Sequence, residues 1–297
     1  MKFFLESSSK ICYNIYRKWK KKHLKSLKVI EREKFMATFA FSDLHAQYDL
    51  WAQIKEYIKP EDIVYCLGDC VDRGDVGLEI LNEVMETPNI ILLRGNHEDF
   101  IDSIGSEVMR CEPDEDVYCA VPNIYLWRMN GAKNTIKAFN KLSKERKNLL
   151  INKIRKLPTH VEYTNSNGDI IYLSHAGRQP DTEEIKDMRE GDIPMNNYIW
   201  DRHHLRQLHW NGKDNEYCVH GHTPVEYFYH YGNPEFDPPA SRFEMYRYCD
   251  GHKIDIDLGS FNTHHACLLN LDTFEPIYFK DRTLSKEEWE AIDNGIK

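Results

Sequence analysis

The stretch IVYCLGDCVDRGD, residues 63–75, begins as an apolar run and ends in three aspartates, an arginine and two glycines. Ile, Val and Tyr bounded by Gly read as a buried strand. A buried strand that ends in so much charge needs a use for that charge. The same pattern recurs in TFAFSDLH (38–45), IILLRGNHE (90–98), IIYLSHAG (170–177) and YCVHGHTP (217–224), each an apolar run with a tip rich in Asp, Asn or His. Between the first tips, QYDLWAQIKEYI (47–58) and VGLEILNEVME (76–86) carry apolar residues at helical spacing. This alternation predicts an α/β fold, and open α/β sheets bind ligands at the carboxyl ends of their strands, where all five tips fall.

The region around these runs is read more coarsely. Residues 98–160 read as a mostly helical insertion with an acidic loop, CEPDEDVYC (111–119), closing at Pro158. The last third reads as the strands KIDIDLGS, ACLLNL and PIYF, then a helix after Ser285 with a capping box to Glu288. Residues 229–243, interrupted by Pro, read as a long loop.

At 297 residues and 41% hydrophobic, the chain can bury a substantial core. It has no apolar run near the roughly 20 residues that span a bilayer, and its first residues lack the apolar core of a signal peptide. A cytoplasmic protein is therefore expected. Its eight cysteines include no Cys-x-x-Cys pair and read as reduced thiols. Residues 1–36 hold eleven Lys and Arg against three Glu, an excess of eight positive charges, so the rest must carry −17 for the whole to reach −9. The domain boundary is placed there: a basic extension over 1–36 and a globular domain over 37–297. Two readings of the arm stand. Ile11, Ile15, Trp19 and Leu27 allow a basic amphipathic helix on an anionic membrane surface, but a solvated, partly disordered tail is the plainer reading of the composition. Met36 opens MATFAFSDLHA just before a strand, so it is also a candidate functional start. No nucleic-acid partner is expected.

Asp43 and His45 stand in the first tip, Asp69 in the second, Asn96 in the third, His175 in the fourth and His222 in the fifth. These are oxygen and nitrogen donors, too many for one ordinary ion. A single carboxylate can bridge two cations, and a pair of ions roughly 3.5–4 Å apart suits in-line displacement at phosphorus. One His or Asp at a strand end is more often a capped turn than a ligand; the metal reading rests on there being five tips.

In order, spacing and residue type, SDLH, GDCVDRG, RGNHE, SHAG and GHTP together resemble the calcineurin-like metallophosphoesterases, and within them the bacterial and phage type of phosphoprotein (serine/threonine) phosphatase. The likeness spans residues 38–280. WRMNGAKNT (127–135) and LPTHVEY (157–163) look like segments that bacterial members carry between the third and fourth motifs. The resemblance implies a two-sheet, β-sandwich core flanked by helices. It places Asp43, His45 and Asp69 on one ion and Asp69, Asn96, His175 and His222 on the other, with Asp69 bridging. Such donors suit two divalent ions, Mn²⁺ first, with Fe or Zn²⁺ as alternatives. Relatives outside the phosphoprotein phosphatases have a further His where this chain has Pro224, which favours the phosphatase subgroup.

Two divalent ions, less two carboxylates and a bridging hydroxide, leave about one positive charge to meet a phosphate dianion. The deficit calls for an arginine. Arg73, at the turn of Gly74, is placed to supply a bidentate fork, and the resemblance gives it that role. Arg202 looks like the family's second phosphate arginine. Arg94 is assigned either to phosphate or to an ion pair behind Asn96, which is itself close enough to meet substrate. Asp72 and His97 look like the family's pair for protonating a departing alkoxide. His220 is a candidate support for His222, while His203, His204, His264 and His265 default to surface or packing roles.

Two departures stand out. Ser42 and Ala46 replace the glycines that usually flank Asp-x-His, and Ala46 is expected in an ordinary backbone conformation. Cys70, beside Asp69, reads as a packed thiol rather than a redox switch.

The function expected is hydrolysis of phosphomonoesters by direct attack of a bridging hydroxide, on phosphoserine or phosphothreonine in protein or on a small phosphoester. The rival reactions are symmetrical dinucleoside tetraphosphate hydrolysis and phosphate binding without cleavage. Keeping both Asp72 and His97 argues against the last, since a binder needs no general acid.

Overall fold

Thr38–Phe41 (β1), Ile63–Cys66 (β2) and Ile90–Leu92 (β3) lie parallel, with Phe39 opposite Val64 and Cys66 opposite Leu92. The connecting helices α1 (Tyr48–Tyr57) and α2 (Gly77–Glu86) follow the first two tips, as their spacing predicts. The pleat sends alternate side chains to opposite faces. Phe39, Phe41, Val64 and Cys66 face a helix-covered core with Leu50, Trp51, Ile80 and Leu81, whereas Ala40, Tyr65 and Leu67 face a second sheet.

The computed structural model describes residues 36–109, 122–177, 198–202, 209–232, 235 and 237–294. The arm before Met36, the acidic loop 111–119, His203 and His204 lie outside the described residues. After β3, the described chain forms α3 (Asn96–Val108), α4 (Pro122–Met129), α5 (Lys133–Asn140) and α6 (Lys144–Arg155). β4 (His160–Thr164), β5 (Ile170–Ser174) and β6 (Glu216–His220) follow, then a short helix α7 (Phe228–Tyr231), β7 (Tyr246–Tyr248) and β8 (Lys253–Asp255). α8 (Ser260–Thr263), β9 (His265–Asn270), β10 (Pro276–Lys280) and α9 (Lys286–Asp293) complete the described chain. Ser285 and Glu288 form the expected capping box on α9.

The strands form two five-stranded mixed sheets, ordered β10-β9-β1-β2-β3 and β4-β5-β6-β8-β7. The architecture is the α/β, two-sheet core flanked by helices that the motifs imply. In the second sheet β5, β6 and β8 run parallel, so the fourth and fifth tips also leave carboxyl ends. Residues 229–243 are not all loop: Tyr229–Tyr231 belong to α7, because Phe228 packs its ring 4.7 Å from Tyr246 and 5.0 Å from Tyr248.

Candidate active site

The parallel ladder of β1 and β2 continues into the tips. The amides of Asp43, His45 and Ala46 donate to the carbonyls of Gly68, Asp69 and Cys70 at 3.1, 3.0 and 3.1 Å. This pairing holds the backbone in an unusual state. Asp43, His45, Ala46, Asp69, Asp72, Arg73 and His222 all have positive φ, between 41° and 72°. Left-handed backbone costs a residue with a Cβ roughly 1–2 kcal/mol and persists where the surroundings over-determine it. Ala46 is therefore not in the ordinary conformation expected of it: at φ 62° its amide is tied to Cys70 and its methyl is buried. Nor does Gly74 supply the positive φ of its turn, which falls on Asp72 and Arg73. A Cβ at Gly74 would meet that of Ala46 at 2.8 Å, so close approach is what calls for glycine there.

The structure brings together all six residues read as ligands, each at most 5% exposed. His45 Nε2 lies 3.7 Å from Asp43 Oδ1 and 3.6 Å from Asp69 Oδ2. On its other side, Asp69 Oδ2 is 3.4 Å from His175 Nε2. Asn96 Oδ1 sits 2.8 Å from both His175 Nε2 and His222 Nδ1, and those two nitrogens are 3.1 Å apart. Two donor groups thus share Asp69. The tautomers follow from the other ring nitrogens: His45 Nδ1 donates to the Val71 carbonyl at 3.0 Å and His175 Nδ1 to that of Leu67 at 2.9 Å, leaving both Nε2 lone pairs for the cluster.

This donor set fits a pair of cations. Asp43 Oδ1 is buried with no hydrogen-bond partner among the described residues, a costly position for a carboxylate oxygen unless a cation meets it. Without a cation, a proton takes the place. Burial opposes charge on His175, yet Asp69 and Asp43 outweigh it and push its pKa up to about 9. Burial also works against ionised Asp69, but His175, His97 and His45 together hold it well below the usual carboxylate range. Burial, then the positive charge of His175 and Arg202, depresses His222.

His97 is near enough to be mistaken for a ligand, with Nε2 3.8 Å from Asp69 Oδ2. Arg73 Nη2 stands 3.3 Å from that nitrogen, and a guanidinium is a poor neighbour for a coordinated cation. The far nitrogen, Nδ1, is 2.6 Å from Asp72 Oδ2. Burial disfavours the imidazolium, but Asp69 and Asp72 raise its pKa on balance. Arg73 carries its guanidinium 4.2 Å over the Phe261 ring, and the same ring meets His45 edge-on at 5.7 Å.

The other assignments divide. Arg202 Nε donates to Thr223 Oγ1 at 3.3 Å, beside His222. Its segment is anchored by Trp200 Nε1, which donates to Asp99 Oδ2 at 2.9 Å. Arg94 is buried and commits Nη2 to Asp99 and Asp102, so the ion-pair assignment replaces phosphate contact. His220 points its Nε2 at the Tyr248 hydroxyl, 2.8 Å away, inside the inter-sheet core. The Cys70 thiol, 3.6 Å from that of Cys66, is pushed up by that contact and by burial, as a packed thiol should be.

Several contributors had not been read. Glu98 Oε2 accepts the amides of Asp69 at 2.8 Å and Gly95 at 3.2 Å, and Oε1 accepts that of Cys70 at 2.9 Å. Burial and Asp69 push this carboxyl up to about 7. Its signal was present in RGNHE, a Glu three residues after the helix-capping Gly95. Phe261 had no local signal, because only the fold carries α8 to Arg73.

No curated protein matches the sequence. Among solved structures, a provisionally assigned diadenosine tetraphosphatase is 11% identical, with 84% of this chain and 96% of that one covered and a TM-score of 0.49. A protein serine/threonine phosphatase from Saccharomyces cerevisiae is 12% identical, with 84% and 82% covered and a TM-score of 0.49. A metallophosphoesterase from Sphaerobacter thermophilus is 18% identical, with 88% and 93% covered and a TM-score of 0.47. The model of one family, described as calcineurin-like phosphoesterase, matches residues 36–266, a span that takes in all five tips. With the two-sheet core and the paired donor groups, that match identifies the chain as a member of the calcineurin-like phosphoesterases.

Proposed function

We propose that this phosphoesterase acts on phosphomonoesters as a serine/threonine protein phosphatase, with Asp43, His45, Asp69, Asn96, His175 and His222 holding two divalent ions, Mn²⁺ first. The observation that carries the reading is the His97–Asp72 pair, 2.6 Å apart, with Arg73 at the other ring nitrogen and the shared donor Asp69 behind it. Bound ions would polarise the phosphoryl oxygens and activate a water for in-line attack without a phosphoenzyme. The chain's own residues do the rest. Arg73, with Phe261 supporting its guanidinium, offers a planar fork to the phosphate, and Arg202 offers a second cation from beside His222. Arg73 Nη2 can only donate, so in the structure His97 Nε2 accepts from it. When the phosphate draws the guanidinium away, Nε2 is released to carry a proton, which His97 gives to the departing alkoxide while Asp72 holds Nδ1–H.

A monoester dianion is favoured by the arginine fork and by Pro224, which stands where relatives outside the phosphoprotein phosphatases have a further His. The test is a panel: Mn²⁺-loaded protein with phosphoserine peptide, diadenosine tetraphosphate and a phosphodiester. The peptide is expected to turn over fastest. Preference for the tetraphosphate would make the chain a dinucleotide hydrolase, and binding of phosphate without turnover on any of the three would make it a recognition module.

No helix among the described residues is long and apolar enough to cross a membrane. In our reading the basic arm is a separate element that meets anionic lipid surfaces. A chain beginning at Met36 is expected to keep kcat on a small phosphoester and to lose binding to vesicles containing phosphatidylserine. Equal vesicle binding by the two lengths would remove the membrane role, and failure of the shorter chain to fold would make the arm part of the core.

A further inference from the structure

We propose that Trp127 is a positioning residue for proton delivery, and that with Gly131 and Thr135 it clamps Asp72 and Arg73 in place; this rests on the general-acid reading of His97. Asp72 and Arg73 are consecutive left-handed residues, at φ 67° and 63°, just past Cys70, where the bonds from the first tip end. Both of their amides find acceptors on α5 and the turn that precedes it. Asp72 N–H donates to Thr135 Oγ1 at 3.1 Å and Arg73 N–H to the Gly131 carbonyl at 2.9 Å. The approach is close: a Cβ at Gly131 would meet Arg73 Cγ at 2.8 Å.

The third contact reaches the chemistry. Trp127 Nε1 donates to Asp72 Oδ2 at 2.8 Å, the same oxygen that His97 Nδ1 meets at 2.6 Å. Asp72 Oδ1 is buried and has no hydrogen-bond partner among the described residues, so two donors on Oδ2 decide which oxygen faces the imidazole. The indole cannot easily leave. It is fully buried and stacks on Phe100 at 6.2 Å, and Phe100 in turn meets the edges of His97 at 5.9 Å and Trp200 at 5.0 Å. Without the indole N–H the carboxylate is free to turn, and the imidazole loses the alignment that aims Nε2 at the leaving oxygen.

Trp127→Phe keeps a ring and removes the donor. Its kcat on phosphoserine peptide is expected to fall about 10-fold more than its kcat on p-nitrophenyl phosphate, part of the 10²–10⁴ a positioned acid supplies, with metal content and inhibition by inorganic phosphate unchanged. The downfield Nδ1–H proton resonance of His97 should shift in the same variant, which a merely structural role would not require. Should Trp127→Phe fail to fold, site-specific benzothienylalanine at 127 replaces only the N–H by sulfur and must give the same two changes. An unchanged substrate ratio together with an unchanged resonance overturns the proposal. His97→Asn measured alongside keeps the two ideas apart. If that variant loses both substrates equally, the acid reading falls, and the resonance alone decides whether Trp127 holds the Asp72–His97 pair.

Discussion

Asp69→Asn is expected to empty both ion positions and to abolish turnover, metal content and kcat falling together. Asp69 Oδ2 lies 3.6 Å from His45 Nε2 and 3.4 Å from His175 Nε2, so one oxygen faces both donor groups. An asparagine offers one neutral oxygen and, in place of the other, an NH2 group, which has no lone pair to give a cation. The loss should exceed the roughly 10–100-fold that accompanies removal of a partner behind a ligand, since here the ligand itself is changed for both ions. The fold should survive, because the bonds that hold this tip to Glu98 come from the backbone amides of Asp69 and Cys70. Metal analysis by mass spectrometry beside kcat checks the result. A variant that retains two tightly bound ions would take Asp69 out of the bridge.

His97→Asn is expected to show a selective defect. Protonating the leaving oxygen matters when that oxygen is strongly basic, as in phosphoserine, and hardly matters for nitrophenolate. A positioned acid is worth about 10²–10⁴ in rate, or about 3–5 kcal/mol of barrier. The phosphoserine reaction should therefore lose that factor while the p-nitrophenyl phosphate reaction loses little and both ions stay bound. Asp72→Asn should give a weaker version of the same pattern, since the imidazole remains but its Nδ1–H loses a charged acceptor 2.6 Å away. Equal loss on both substrates would leave His97 as a prop for phosphate and not as an acid.

How much could be read beforehand depends on how far each feature reaches along the chain. The tips were legible because a strand and its polar end lie within about eight residues, and their chemistry repeats five times. The partition of those tips over two sheets was not, because strand order is decided by packing between distant faces; only the family resemblance supplied it. Short strands such as Tyr246–Tyr248 escape any periodicity argument, having three residues in which to show it. Ala46 defeated a sound local rule: its left-handed backbone is imposed by Cys70, from the neighbouring tip. Arg94 was ambiguous because its sequence neighbour Asn96 faces the cluster while its actual partners, Asp99 and Asp102, lie one and two turns into the helix that follows. The segment 127–135 was noticed for its resemblance alone, and its contacts to Asp72 and Arg73 span more than fifty residues of chain.

Bonds that cross between the sheets at the tips, among them His175 Nδ1 to the Leu67 carbonyl and the His222 amide to Asp43 Oδ2, make the site a seam. The donor group around Asn96 draws on both sheets: the tips of the first contribute Asp69 and Asn96, those of the second His175 and His222. Parting the sheets by even an ångström or two would therefore dismantle the donor groups and the sheet-to-sheet docking in one event. Ions held there would be linked to the cohesion of the two halves, each adding to the other as mortar does to the courses it joins, on top of the apolar packing that already docks the sheets.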